Sequence, residues 1–107
     1  MIQMIRPTMK ERKRYLLFEV AGGEFSGEQV KRASYDAILS FLGEYGSSLA
    51  NPKFVSYDAK RKLAVLRCTH TEADKVRAAL ALATKVAGVP AALRVVKVSG
   101  TIAGLGR

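Results

Sequence analysis

The stretch Lys53–Cys68, KFVSYDAKRKLAVLRC, decides the fold. Two short runs with aromatic or aliphatic residues, Lys53–Asp58 (Phe54, Val55, Tyr57) and Lys62–Cys68 (Leu63, Ala64, Val65, Leu66), flank the polar segment Asp58-Ala59-Lys60-Arg61. That pattern predicts a β-hairpin. Upstream, Arg14–Val20 (RYLLFEV) reads as another strand, followed by the flexible loop Ala21-Gly22-Gly23-Glu24-Phe25. Ser26 with Gln29 three residues on is a capping-box pattern and starts a helix near Gly27. Val30, Ala33, Ala37, Ile38, Phe41, Leu42 and Tyr45 form one helical stripe, and Gly46 is expected to end it. Asn51-Pro52 is the turn into the hairpin.

Downstream of the hairpin, Thr71 and Asp74 resemble a second capping box. The helix it opens is expected to run to about Ala87, with Val76, Ala79, Leu80, Ala83 and Val86–Ala87 as its apolar stripe, until Gly88 and Pro90 stop it. Ala92–Ser99 reads as a last strand. The order β-α-β-β-α-β is the split βαβ, ferredoxin-like arrangement, an α+β sandwich. Right-handed crossovers place both helices on one face of a four-stranded antiparallel sheet of order 4-1-3-2. Residues 1–13 are expected to be a mobile basic arm, 14–102 the single domain and 103–107 a short tail.

Composition agrees with one small domain. The chain has 107 residues, 49% hydrophobic and 25% charged, which suits a globular core and excludes two-domain enzymes and large barrels. No apolar run approaches the roughly 18–20 residues of a membrane span. The opening MIQMIRPTMKERKR has its positive charges after a very short apolar start, unlike a signal peptide. A single cysteine excludes an internal disulfide and a Cys-cluster metal site, and fits a reducing, cytoplasmic setting.

Charge points to the partner. Eighteen Lys and Arg against nine Asp and Glu give +9, which suits a polyanion such as nucleic acid. The excess is polarised: residues 1–14 carry net +4, 15–59 net −3 and 60–107 net +8. The basic clusters are Arg12-Lys13-Arg14, Lys60-Arg61-Lys62, the pair Lys75 and Arg77 opening the second helix, Lys85, and Arg94 with Lys97 on the last strand.

The strands alternate poorly. Leu16, Phe18 and Val20 oppose Tyr15 and Leu17; Leu63 and Val65 oppose Ala64 and Leu66; Leu93 and Val95 oppose Val96 and Val98. The sheet face away from the helices is therefore expected to be partly apolar, either as a contact surface or covered by one of the termini. Base stacking on that face is disfavoured, because the third strand, KLAVLRC, has no aromatic residue. The first strand–helix loop, AGGEFSG, has neither the Arg an acylphosphatase needs nor the paired cysteines of a metal chaperone. Cys68 reads as a small buried hydrophobe, His70 as a capping or solvated residue, and no catalytic or metal-binding constellation surrounds either.

The blocks KERKRYLLFEV (10–20), LGEYG (42–46), FVSYDAKRKLAVLRC (54–68), VRAALAL (76–82) and VVKVSGTI (95–102) resemble, in order and register, the archaeal ribonuclease P protein component 2 family, the Pop family of ribonuclease P and MRP. Members often continue beyond the last block with a basic tail, whereas this sequence reaches Arg107. The resemblance implies a non-catalytic subunit of an endonuclease that removes 5′ leaders from precursor tRNA, with an RNA catalyst that needs Mg²⁺. It implies no cofactor bound by the chain itself. It implies ribonuclease P RNA and protein component 3 as partners, with self-association in a 2:2 heterotetramer. On that basis Arg12, Lys13, Arg14, Lys60, Arg61, Lys62, Lys75 and Arg77 are expected to contact RNA, and Phe41, Leu42 and Tyr45 a protein partner. The competing expectation is a standalone protein- or small-molecule-interaction module on the same fold.

Overall fold

The computed structural model describes residues 12–106. Strand β1 (Lys13–Ala21) lies inside a four-stranded sheet with β2 (Lys53–Asp58), β3 (Leu63–Thr69) and β6 (Ala92–Ser99). The order is β2-β3-β1-β6, with every pairing antiparallel. Counting only these four strands, this is the expected 4-1-3-2 sheet. Helices α1 (Gly27–Ala50) and α2 (Ala73–Ala81) cover one face. Leu16, Phe18 and Val20 of β1, Ala64, Leu66 and Cys68 of β3, and Leu93 of β6 meet Val30 and Ile38 of α1 and Val76, Ala79 and Leu80 of α2 in one core. Burying each of the larger aliphatic side chains is worth about 1.5–3 kcal/mol.

Helix α1 starts as its residues dictate. The Ser26 hydroxyl accepts from the Gln29 amide at 3.2 Å, and the Ser26 amide donates to Gln29 Oε1 at 2.9 Å, a complete capping box. The helix does not end at Gly46. It breaks at Gly43 (φ 75°, ψ 179°), a conformation that is essentially reserved for glycine, and resumes to a left-handed cap at Asn51. Gly46 serves close packing instead. A Cβ there would sit 2.8 Å from Leu42 Cβ, so the resumed turn approaches too closely for any side chain. Tyr35 ties the helix to the sheet edge, its phenol oxygen accepting from the Phe54 amide at 2.8 Å.

Helix α2 is shorter than its alanine content suggests. It ends at Ala81, and the chain continues as a two-residue hairpin, β4 (Lys85–Val86) and β5 (Val89–Pro90). Ala87 (φ 53°) and Gly88 (φ 79°) form its turn, the double positive φ of a tight hairpin. Val86 is buried from this hairpin, not from a helix. Thr71 and Asp74 do not form a capping box: a 3₁₀ turn at His70–Glu72 precedes the helix, and no side chain caps either element.

Two bulges correct the expected alternation. Between Leu17 and Phe18, β6 steps from Lys97 to Val95, leaving Val96 unpaired. Val98, paired with Leu16, therefore lies on the same side as Leu93 and Val95 rather than opposing them, and Lys97, paired with Leu17, turns to the face away from the helices. In β2 a shift between Phe54 and Ser56 likewise turns Tyr57 toward the core.

The face away from the helices carries its own small apolar cluster. Leu17 and Val65 pack with Leu105, which comes from a 3₁₀ turn at Ala103–Leu105, and Tyr15 and Leu63 border them. Of the two alternatives expected for this face, coverage by a terminus thus holds at its middle, where Leu105 of the short tail 103–107 packs on Leu17 and Val65. Residues 1–11 of the expected basic arm lie outside the described residues. None of the described helices is long and apolar enough to cross a membrane. Replacing the buried Leu105 by alanine is expected to cost about 2–3 kcal/mol. Leu39→Ala, at a side chain 48% exposed, should cost under about 0.5 kcal/mol. Urea denaturation of the two variants checks the difference.

Candidate nucleic-acid interface

The structure does not gather the expected RNA-contacting residues at one place. Lys13 opens β1 opposite Thr69, at the end of the sheet where β3 finishes. The exposed Arg12 is at the same end, where its carbonyl accepts from the His70 amide at 2.9 Å. Lys60, Arg61 and Lys62 sit in the β2–β3 turn at the other end, where the Lys62 carbonyl accepts from the Val20 amide. Arg14 and Val20 are six positions apart on β1, so roughly 20 Å separates the two clusters.

Their side chains are also differently engaged. Asp58 Oδ1 accepts from the Lys60 and Arg61 amides at 3.1 and 3.2 Å, which shapes the turn and leaves both side chains in solvent. Lys62, held at φ 59°, instead reaches the β1–α1 loop, donating to the Gly23 carbonyl and pairing with Glu24 at 2.8 Å. That exposed pair contributes no more than about 1 kcal/mol, but it takes Lys62 out of the free cations. Arg14 lies on the helix side of β1 and donates to the Lys13 carbonyl. Lys75 pairs with Glu72 at 3.4 Å, and Arg77 is on the solvent side of α2.

Register brings together cations that their sequence positions do not suggest. Lys53, Arg67, Tyr15 and Ser99 lie in one row straight across all four strands, on the face away from the helices. The next row holds Ser56, Val65, Leu17 and Lys97. Carboxylates enter only in the third row, and both are engaged: Glu19 holds Arg94 at 2.6 Å, and Asp58 shapes its turn. The expectation lacked Lys53 and Arg67, because each is an isolated basic residue in its strand. The available signal was parity: both fall opposite the core-facing positions.

The apolar surface lies elsewhere. Phe41, 49% exposed, and Tyr45, 79% exposed, flank the Gly43 break on the outer side of α1, with Leu39 and Leu49 also exposed. Leu42 instead turns inward against the core. Phe41 also lines a groove of about 730 Å³ between α1 and the α2–β4 segment, together with Leu82 and Ala83.

The described residues contain no group of three or more His, Cys, Asp or Glu that could hold a metal ion. Cys68 is fully buried, and burial, with a smaller push from Glu72, raises its thiol from 9.0 to about 11. It has no geometry for nucleophilic chemistry.

The Rpp14/Pop5 family profile matches residues 14–106. The chain belongs to the Rpp14/Pop5 family. It is 38% identical over 102 residues to ribonuclease P protein component 2 of Pyrococcus abyssi, covering 94% of this chain and 86% of that one. It is 35% identical over 103 residues to the protein of the same name from Methanocaldococcus jannaschii, covering 95% and 75%. Its fold matches a chain in the cryo-EM structure of yeast ribonuclease MRP with a TM-score of 0.69 at 14% identity, covering 86% of this chain and 76% of that one. The family resemblance carried by the strand and helix blocks therefore holds over nearly the whole chain.

The raised thiol has a measurable consequence. The neutral form is favoured in the folded state, so this contribution to stability is fully present below about pH 9 and is lost as pH rises toward about 11. At pH 8 a thiol reagent should label Cys68 only at the rate of unfolding, and denaturant should make labelling complete within the mixing time.

Proposed function

We propose that this chain is a non-catalytic protein subunit of ribonuclease P, the ribonucleoprotein that removes 5′ leaders from precursor tRNA. Family membership, with relatives named ribonuclease P protein component 2, carries the reading. The charge supports it: a net +9 suits a protein that works on a folded RNA. Packing RNA into an active shape crowds its phosphates. Lys and Arg side chains displace condensed counterions and lower the Mg²⁺ needed to hold that shape, while the metal chemistry itself stays with the RNA.

The separation of surfaces gives the subunit two directions of contact. Cations on the sheet and its ends suit RNA. The exposed apolar residues of α1 suit a protein partner, which in this reading is protein component 3, within a 2:2 assembly in the cytoplasm. Aromatic anchors such as Phe41 and Tyr45 are the residue types that dominate protein interfaces.

Drop-out reconstitution tests the role. Ribonuclease P RNA and protein component 3, assembled with and without this chain, are assayed for precursor tRNA cleavage at limiting Mg²⁺. Cleavage should depend on the chain, the dependence should fade as Mg²⁺ is raised, and the chain alone should cut nothing. Equal cleavage with and without it at every Mg²⁺ concentration would refute the proposal. Tyr45→Glu, at a position open to solvent and outside the core, should abolish co-purification with the protein partner while leaving thermal unfolding within a few degrees of the parent. Undiminished co-purification would remove α1 from the interface.

A further inference from the structure

We infer that the face of the sheet away from the helices, at the end where β1 begins, is a phosphate-binding surface for RNA, built by Lys13, Lys53, Arg67 and Lys97 rather than by the β2–β3 turn. The inference rests on the ribonuclease P reading above and adds to it the surface and the mode of contact.

The geometry carries it. Lys53 and Arg67 stand side by side in one row of the sheet, Lys13 lies one row beyond, and Lys97 is brought onto the same face by the β6 bulge. Adjacent strands are about 4.8 Å apart, so the row across four strands spans about 14–15 Å, wide enough to follow several phosphates of a strand. Arg67 is half-buried, yet has no hydrogen bond or ion pair among the described residues. A guanidinium usually finds a planar acceptor in such a setting, and a phosphate presents one bidentately. Carboxylates of the described strands begin only with the Asp58–Leu63–Glu19–Arg94 row, where both acids are engaged by other groups.

The middle of the face fixes the mode. Bases that stack on such a sheet use the two central strands. Here the central positions Leu17 and Val65 lie under Leu105, so no flat platform is open there. What remains accessible is charge around a small apolar plug. RNA is favoured over a protein on this half because lysines are depleted at protein interfaces and the apolar centre is already filled from within the chain. The exposed apolar residues of α1 project from the other layer.

The test uses the full chain, with archaeal ribonuclease P RNA as the probe and affinity measured as a function of salt. The triple variant Lys53→Ala, Arg67→Gln, Lys97→Ala should bind at least roughly tenfold more weakly and lower the slope of log K against log salt by about one per lost contact. Lys60→Ala with Arg61→Ala should have the smaller effect. Lysine acetylation of the unmodified protein gives a readout that needs no variant: RNA should protect Lys13, Lys53 and Lys97 more than Lys60. A triple variant with parental affinity and slope, or protection centred on Lys60, would overturn the assignment and leave the subunit role intact. Protection of the face by protein component 3 without RNA would make it a protein interface instead. Absence of salt-dependent RNA binding by the parent would overturn this inference together with the reading it rests on.

Discussion

The pairing of β1 with both β3 and β6 is the constraint on which the rest of the structure depends. Three alternate residues of β1, Leu16, Phe18 and Val20, are essentially inaccessible under the helices, and Leu17 is nearly so on the opposite face. A strand buried on both faces must satisfy its backbone within the sheet, which the seven register pairs to each neighbour do. Position in the sheet then sets everything outside it. Tyr15 and Glu19 can only look away from the helices, and the residues opposite them, Arg67 and Ser99, Leu63 and Arg94, are assigned to that face by register.

The same constraint explains how charge and apolar surface come to be separated. Helices on one face leave the other face bare, and a bare sheet with Leu17, Val65 and Leu63 on it would invite association. Leu105 fills that centre from within the chain. The polar margin around it is left to Lys13, Lys53, Arg67 and Lys97. On the helical layer, the Gly43 break lets the chain turn out of the core-directed stripe. Phe41, which precedes the break, lies to one side of the buried row Val30, Ser34 and Ile38, and Tyr45 follows the break; both were expected to point with Ile38 and Leu42, and both reach solvent. One protein of this size can thus present a cationic sheet and an apolar helix on separate layers.

Much of this architecture is readable in the amino-acid order, and the exceptions have physical causes. The Ser26–Gln29 box and the last strand, Ala92–Ser99, are local patterns that tertiary packing leaves unchanged. Local propensity overextends helix α2 because alanine-rich segments favour helix, whereas the chain leaves the helix at Ala81 and buries Val86 from the β4–β5 hairpin. The clue was Val86-Ala87-Gly88-Val89, a two-residue turn between valines. The choice between Gly43 and Gly46 as the helix break turns on side-chain fit within one helical turn, since a Cβ at Gly46 would meet Leu42, and residue type alone does not reveal that fit. The site was the least legible part. Consecutive basic residues draw attention, but adjacent positions on a strand point opposite ways. Isolated Lys53 and Arg67 become neighbours only once the register is known, and Lys97 joins them only through a bulge.

The β1–β6 pairing also sets a clock. Leu17 and Lys97 are neighbours in the sheet but 80 residues apart in the chain. At about 5–20 residues per second, synthesis delivers β6 some 4–16 s after β1. Over that interval the hairpin of β2 and β3 can pair one edge of β1, while its other edge stays open as a row of unpaired amides and carbonyls. Folding of this domain is therefore dominated by distant contacts, a topology that slows the final closure and lengthens the time during which the half-built sheet can find the wrong strand.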